Sequence, residues 1–273
     1  MMSAFFATNS YIFKSACLQL LTAAMLISGV AVGAFVLNRI ELRVSRSLSH
    51  HYGWKSMLIT GWLGTGIHEL SHLACCKVLG LRVVDFKLYK PDTRTGTLGY
   101  VYFVQDKRGL LGAVKRSMVG TAPLFFGLCL LTLGVIWVGW RPEKVNADFF
   151  PRDTPAFVTS FIQQTSLGLM RLISGKYVWD VKFWIWSYVA LSVGLHMSPS
   201  RADMKNTKWG LMFFFVIIAV ALFSFQLVSR NPSPEILSWA MVISVAASVT
   251  LFWSLLLGAT YFFAVKLITR LLP

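Results

Sequence analysis

Residues 56–76 read SMLITGWLGTGIHELSHLACC, an apolar run of 21 residues that contains His68, Glu69 and His72. A helix of about 20 such residues spans the roughly 30 Å hydrocarbon core of a bilayer. Ionisable groups are costly at that depth and are rarely kept without a task. Imidazoles at i and i+4 project from one helical face, so His68 and His72 can share one metal ion. Glu69, beside the first imidazole, is then placed to act as general base on a metal-bound water. The chain has five histidines and four glutamates in 273 residues. Chance alone gives His-Glu-x-x-His about once in a thousand chains of this composition. The competing explanation is a polar helix face of the soluble type, which the scarcity of water in an apolar span weakens.

The rest of the chain agrees with a membrane setting. Hydrophobic residues make up 56% of it and the mean hydropathy is +0.63, too apolar for an ordinary soluble domain. Beyond residues 56–76, apolar spans fall at about 16–37, 118–140, 181–198, 209–229 and 236–265, which makes six. The first is longer than a signal-peptide core and lacks a clean A-x-A site, so it reads as a membrane helix. Trp179, Trp184, Trp186 and Tyr188 open the fourth as an interfacial aromatic group. Ser233-Pro234-Glu235 is a helix-start signal for the last, whose length implies tilt or a protruding stub. The expected fold is an all-α polytopic membrane protein with about six transmembrane helices. It forms a single membrane domain over residues 1–273, with a core at about 56–205 and accessory helices in 1–55 and 206–273.

The formal net charge is +15, but the basic residues are scattered between apolar segments. No compact Lys/Arg cluster with interleaved aromatics exists, so nucleic acid is not an expected partner. Anionic lipid head groups and the positive-inside bias explain the charge more simply. Residues 77–117 alone carry nine Lys/Arg, and with six spans their side of the membrane holds 15 against 11. Both termini and this loop are therefore expected in the cytoplasm.

Inside that loop, Val84, Phe86 and Leu88 alternate with Asp85 and Lys87, a turn-like Pro91–Gly96 follows, and then Leu98–Val104. That pattern predicts a β-hairpin associated with the membrane, just after the His-Glu-x-x-His helix. Residues 107–117 suit a basic helix on the membrane surface, and residues 154–177 form another amphipathic stretch. Cys17, Cys75, Cys76 and Cys129 all fall in apolar segments, so no disulfide framework is expected. Cys75 and Cys76 share roughly the face of His72, and read either as zinc ligands or as small apolar fillers.

Two histidines do not complete a catalytic zinc site; three protein ligands plus a water are usual. His68 and His72 lie about 6 to 12 Å from the cytoplasmic edge of their span, at 1.5 Å per residue. The fourth span runs in the same direction and ends Leu195-His196-Met197-Ser198-Pro199-Ser200-Arg201-Ala202-Asp203. Pro199 discourages helix at Ser198 and releases backbone groups. Such irregular backbone at membrane depth is tolerated only inside protein or beside a wet cavity. Asp203, an acid level with the two histidines, is the chosen third ligand. The other six aspartates lie in the hairpin or the outer loops. His196 is the rival: it could bind zinc, donate to a ligand, orient substrate, or simply sit at a helix C-terminus near the interface.

At these residues the chain resembles the site-2 protease family of intramembrane zinc metalloproteases. His68, Glu69 and His72 match its first motif. His196-x-x-Pro199 followed by Asp203 resembles its second, in which a broken helix supplies a metal-binding aspartate. His196 stands where that family usually has Asn, and Met204 where it has Gly. Gly120-Thr121-Ala122-Pro123 with Gly127 resembles the family's small-residue and proline motif in the next helix. No PDZ-like insertion is present, as in compact members, and the resemblance covers roughly residues 56–203. It implies zinc on His68, His72 and Asp203, with Glu69 as catalytic base. It also implies a membrane-embedded protein or peptide as substrate. The hairpin edge at Tyr100–Val104 could hold an unwound stretch of such a substrate by strand addition, or equally be packed at the membrane interface. Thr60, Thr65, Ser71 and Thr121 could line a water path or simply pack between helices.

The compact architecture suits a bacterial inner membrane. Two other functions fit the same residues: a zinc-binding pseudo-protease or scaffold, and a transporter or channel subunit whose ionisable groups line a pathway.

Overall fold

The computed structural model describes residues 29–92 (31 aside), 97–104, 109–141, 154–200 and 234–271, with the single positions 203, 212, 216, 217 and 220. All of the fifth expected span but those four positions from 212 to 220, most of the first and the tip of the hairpin lie outside the described residues. The rest is mostly helical with one small sheet. A helix α1 covers residues 29–52. A 3-10 turn at Trp54–Met57 leads into α2 (Leu58–Val78), followed by β1 (Val83–Lys87), β2 (Tyr100–Phe103) and α3 (Gly109–Trp137). Then come α4 (Thr154–Ile173), α5 (Val181–His196) and α6 (Pro234–Leu271). Among the described residues two helices are long and apolar enough to cross a membrane, over Leu111–Trp137 and Val242–Leu271.

α2 stops because Gly80 takes a left-handed φ of 67°. The Leu81 N–H then bonds to the Cys76 carbonyl at 2.8 Å and the Gly80 N–H to the Lys77 carbonyl at 3.1 Å. This Schellman turn satisfies the last carbonyls and turns the chain into the hairpin within three residues. β1 and β2 pair antiparallel with Asp85 opposite Tyr102 and Lys87 opposite Tyr100. Among the described residues the sheet has only these two strands, so the outer edge of each has no third strand beside it.

α2 and α5 run side by side in the same sense. The Tyr188 hydroxyl donates to the Ile59 carbonyl at 2.7 Å and accepts from the Trp62 indole at 2.9 Å. Further along, a Cβ on Gly64 would fall on the Ser192 carbonyl and the His196 ring, so only glycine admits this approach. α3 runs the other way, with Gly127 against Met197 and the Trp186 indole on the Leu131 carbonyl at 3.1 Å. Trp186 thus lies inside the bundle, 2% exposed and stacked on Trp253 at 6.4 Å. It does not join Trp179 and Trp184, which are exposed, in an interfacial belt.

Three expected boundaries move. α1 continues past residue 37 to residue 52, because its sequence there contains neither Pro nor Gly to end it. The basic segment and the third span form one helix, α3, whose first turns carry Lys115 and Arg116. The amphipathic stretch after it packs into the bundle: Leu172 is fully buried and the Trp140 indole reaches the Gly168 carbonyl at 3.2 Å.

α6 has 38 residues, about 57 Å at 1.5 Å each. Its far end is not a free stub, because Val265 buries with Val44 and Leu48 of α1. Gly33 meets Leu251, Leu37 meets Gly258 and the Ser47 hydroxyl reaches Thr269, so the two helices run in the same sense. α1 and α6 are therefore not the first and last of six simple alternating crossings, which would be antiparallel.

Candidate metal centre

The site forms where the C-terminal ends of α2 and α5 meet the first half of α3. The His68 and His72 Nε2 atoms stand 3.1 Å apart. One carboxylate oxygen of Asp203, Oδ2, lies 3.6 Å from the first and 3.5 Å from the second. Among the described residues these three make up the one cluster of potential metal ligands, with donor atoms all within 4.8 Å of one another. His72 is buried and His68 nearly so.

The proton positions follow from the partners. The His68 Nδ1 lies 2.7 Å from the His196 carbonyl and the His72 Nδ1 2.8 Å from the Val119 carbonyl. A carbonyl only accepts, so each Nδ1 carries a hydrogen, and in a neutral ring each Nε2 then presents a lone pair. Two lone pairs at 3.1 Å, with a carboxylate oxygen beside both, repel unless a cation lies among them. Tetrahedral ligation at about 2.0–2.1 Å separates donors by roughly 3.3 Å, and octahedral ligation by roughly 3.0 Å. The three separations here average nearer the first. The residues therefore fit a divalent metal ion.

Both carbonyls are available because each lacks its usual helical donor. Pro123 lies inside α3 and has no N–H, so the Val119 carbonyl four residues earlier lacks its usual partner. α5 ends at His196 ahead of Pro199, which leaves the His196 carbonyl among the orphans of a helix terminus. The Ser200 N–H, which would have reached it, donates instead to Asp203 Oδ2 at 2.9 Å, while the Asp203 N–H donates to Ser200 Oγ at 3.3 Å. This reciprocal pair has the spacing of a capping box and fixes the carboxylate.

Glu69 is buried, and a Cβ on Gly99 would lie 2.9 Å from its Cγ, so the approach to β2 lies directly over it. Its carboxylate interacts electrostatically with His68 and Asp203. The hairpin thus roofs the acid next to the ligands, with Leu98 packed toward Gly61.

Sequence reasoning chose His68, His72, Asp203 and Glu69, and the fold brings all four together. The His196 ring stays out of the ligand set. Its Nδ1 donates to the Ser192 carbonyl at 2.9 Å, and what it gives the site is its backbone oxygen. Cys75 and Cys76 also stay outside, and Cys76 is fully buried in the packing of α2. The Ser71 hydroxyl bonds the His68 carbonyl and the Thr121 hydroxyl the Ser117 carbonyl, so both are satisfied within their own helices. Ser200 and the Val119 carbonyl were missed. Ser-x-x-Asp spacing signals the former; the mid-helix proline signals the latter.

Compared with known proteins, the chain matches no family model, no curated protein and no solved structure.

Proposed function

We propose that this chain is a multi-pass membrane zinc metalloendopeptidase of the site-2 protease type, hydrolysing peptide bonds of membrane-embedded substrates. The observation that carries it is the convergence of His68, His72 and Asp203 with Glu69 alongside, beneath a hairpin. Two imidazoles and a carboxylate suit zinc, and an adjacent free acid is what hydrolysis needs. When bound, the ion supplies Lewis acidity toward the substrate carbonyl and the attacking water. Its ligands would be His68, His72 and Asp203.

Glu69 takes one proton from the water as its oxygen bonds to the carbonyl carbon. It returns that proton to the amide nitrogen as the C–N bond breaks. Substrate must arrive unwound, because helical carbonyls are already bonded. The outer edge of β2, which no other strand covers among the described residues, suits an extended strand, whose backbone it would hold above Glu69. The basic loop around the hairpin favours the cytoplasmic face for this site, in a membrane such as the bacterial inner one.

The test is Glu69→Gln in purified chain reconstituted with a model transmembrane substrate. Cleavage is expected to fall at least about 100-fold, the scale of a lost general base, with one zinc retained. Unchanged cleavage eliminates the assigned base. Zinc without any cleavage in the wild type points to a binding or scaffolding role instead.

A further inference from the structure

α3 contributes no ligand to the site, yet it holds one. Val119 is 2% exposed and Pro123 is buried one turn later. The Val119 carbonyl accepts from His72 Nδ1 at 2.8 Å across the α2–α3 contact. In an unbroken helix that oxygen points along the axis toward the N–H of residue 123. Proline supplies no N–H there, and its ring crowds the oxygen four residues back, which tips the carbonyl out of the helical ladder. Here the freed oxygen faces α2.

We propose that Pro123 is a positioning residue: by leaving the Val119 carbonyl without a helical donor, it fixes the His72 ring with its hydrogen on Nδ1 and its Nε2 lone pair toward His68 and Asp203. The proposal deepens the metal reading and rests on it for its purpose. The contact itself is a property of the chain alone. A carbonyl bonded to the remote nitrogen of a ligating imidazole sets its tautomer and raises its basicity, and losing such a partner typically costs about 10–100-fold in metal affinity.

His68 provides an internal control, because its Nδ1 is held from α5 by the His196 carbonyl, far along the chain from Pro123. The experiment compares three full-length chains with 15N-labelled histidine, first without metal and then titrated with zinc against a chromophoric chelator. They are the wild type, Pro123→Ala, and the same alanine built in as its α-hydroxy acid. The last replaces the N–H of residue 123 by an ester oxygen, so it lacks both the proline ring and the donor.

In the wild type His72 should show a protonated Nδ1 and a bare Nε2. Pro123→Ala restores the N–H, which competes for the Val119 carbonyl. His72 should then become a mixture of tautomers while His68 stays unchanged, and zinc should bind about 10–100-fold more weakly. The ester variant should recover both wild-type signals. An unchanged His72 tautomer in Pro123→Ala overturns the proposal. So does an ester variant that behaves like Pro123→Ala, because the ring and not the missing donor would then be responsible. A wild type with the His72 signature but no zinc supports the positioning and sinks the metal reading.

Discussion

At Asp203 a single oxygen serves several partners: Oδ2 accepts from the Ser200 N–H and faces both imidazoles. Such a carboxylate can be aimed only if its own backbone is fixed, and the Asp203 N–H on Ser200 Oγ does this. Ser200→Ala should therefore weaken zinc binding by about tenfold, the low end for a lost supporting partner. Ser200→Thr should keep it, since threonine also caps. Chelator competition on the two variants measures this, and equal affinities would assign Ser200 no part in holding the ligand. The ligands themselves were legible in the chain because i, i+4 histidines are local and because Pro199 announces a broken helix near an acid. The Val119 and His196 carbonyls were not, because every residue carries a carbonyl and only packing decides which one meets a ring.

The hairpin is an element with its own electrostatics. The Tyr100 hydroxyl donates to Asp85 Oδ2 at 2.8 Å, across strands. That hydrogen bond, more than any other contact, holds the Asp85 carboxyl below its ordinary value and pushes the Tyr100 phenol up. A carboxyl with a depressed folded value adds stability that is complete above its unfolded value of about 3.9 and is lost as pH falls through the folded one. Protection of the hairpin amides against hydrogen exchange should accordingly weaken below about pH 4. Tyr100→Phe should flatten that dependence and return the Asp85 carboxyl toward its ordinary range, read by carboxylate NMR. An Asp85 titration indifferent to Tyr100→Phe would show that the hydrogen bond carries no weight. Alternation of Val84, Phe86 and Leu88 marked the first strand beforehand, but the helix ends were harder to place. Nothing in the residues after 37 breaks a helix, so α1 runs on until Gly53.

Over the whole molecule the core lies between α3, α5 and α6, where Trp186 and Trp253 stack. The Trp253 indole reaches Ser187 Oγ at 3.1 Å and that of Trp186 the Leu131 carbonyl, so both rings are packed and satisfied. Trp186→Ala should cost about 3–5 kcal/mol, the usual scale for emptying a large aromatic site. Trp184→Ala, at an exposed ring, should change little. Unfolding in mixed micelles compares the two, and equal losses would move Trp186 out of the core. Hydropathy marked the apolar segments but could not distinguish exposed from buried tryptophans, since both kinds sit in equally apolar sequence. Nor could it foresee α1 and α6 running in the same sense, which only side-chain fit determines.

The candidate ligands are drawn from distant parts of one polypeptide, with the hairpin and the whole of α3, α4 and α5 between His72 and Asp203. During synthesis the two imidazoles leave the ribosome well before the aspartate does. A nascent chain therefore carries an incomplete set of the three donors until translation passes residue 203. The order of residues along the chain thus acts as a timer for the assembly of the three donors.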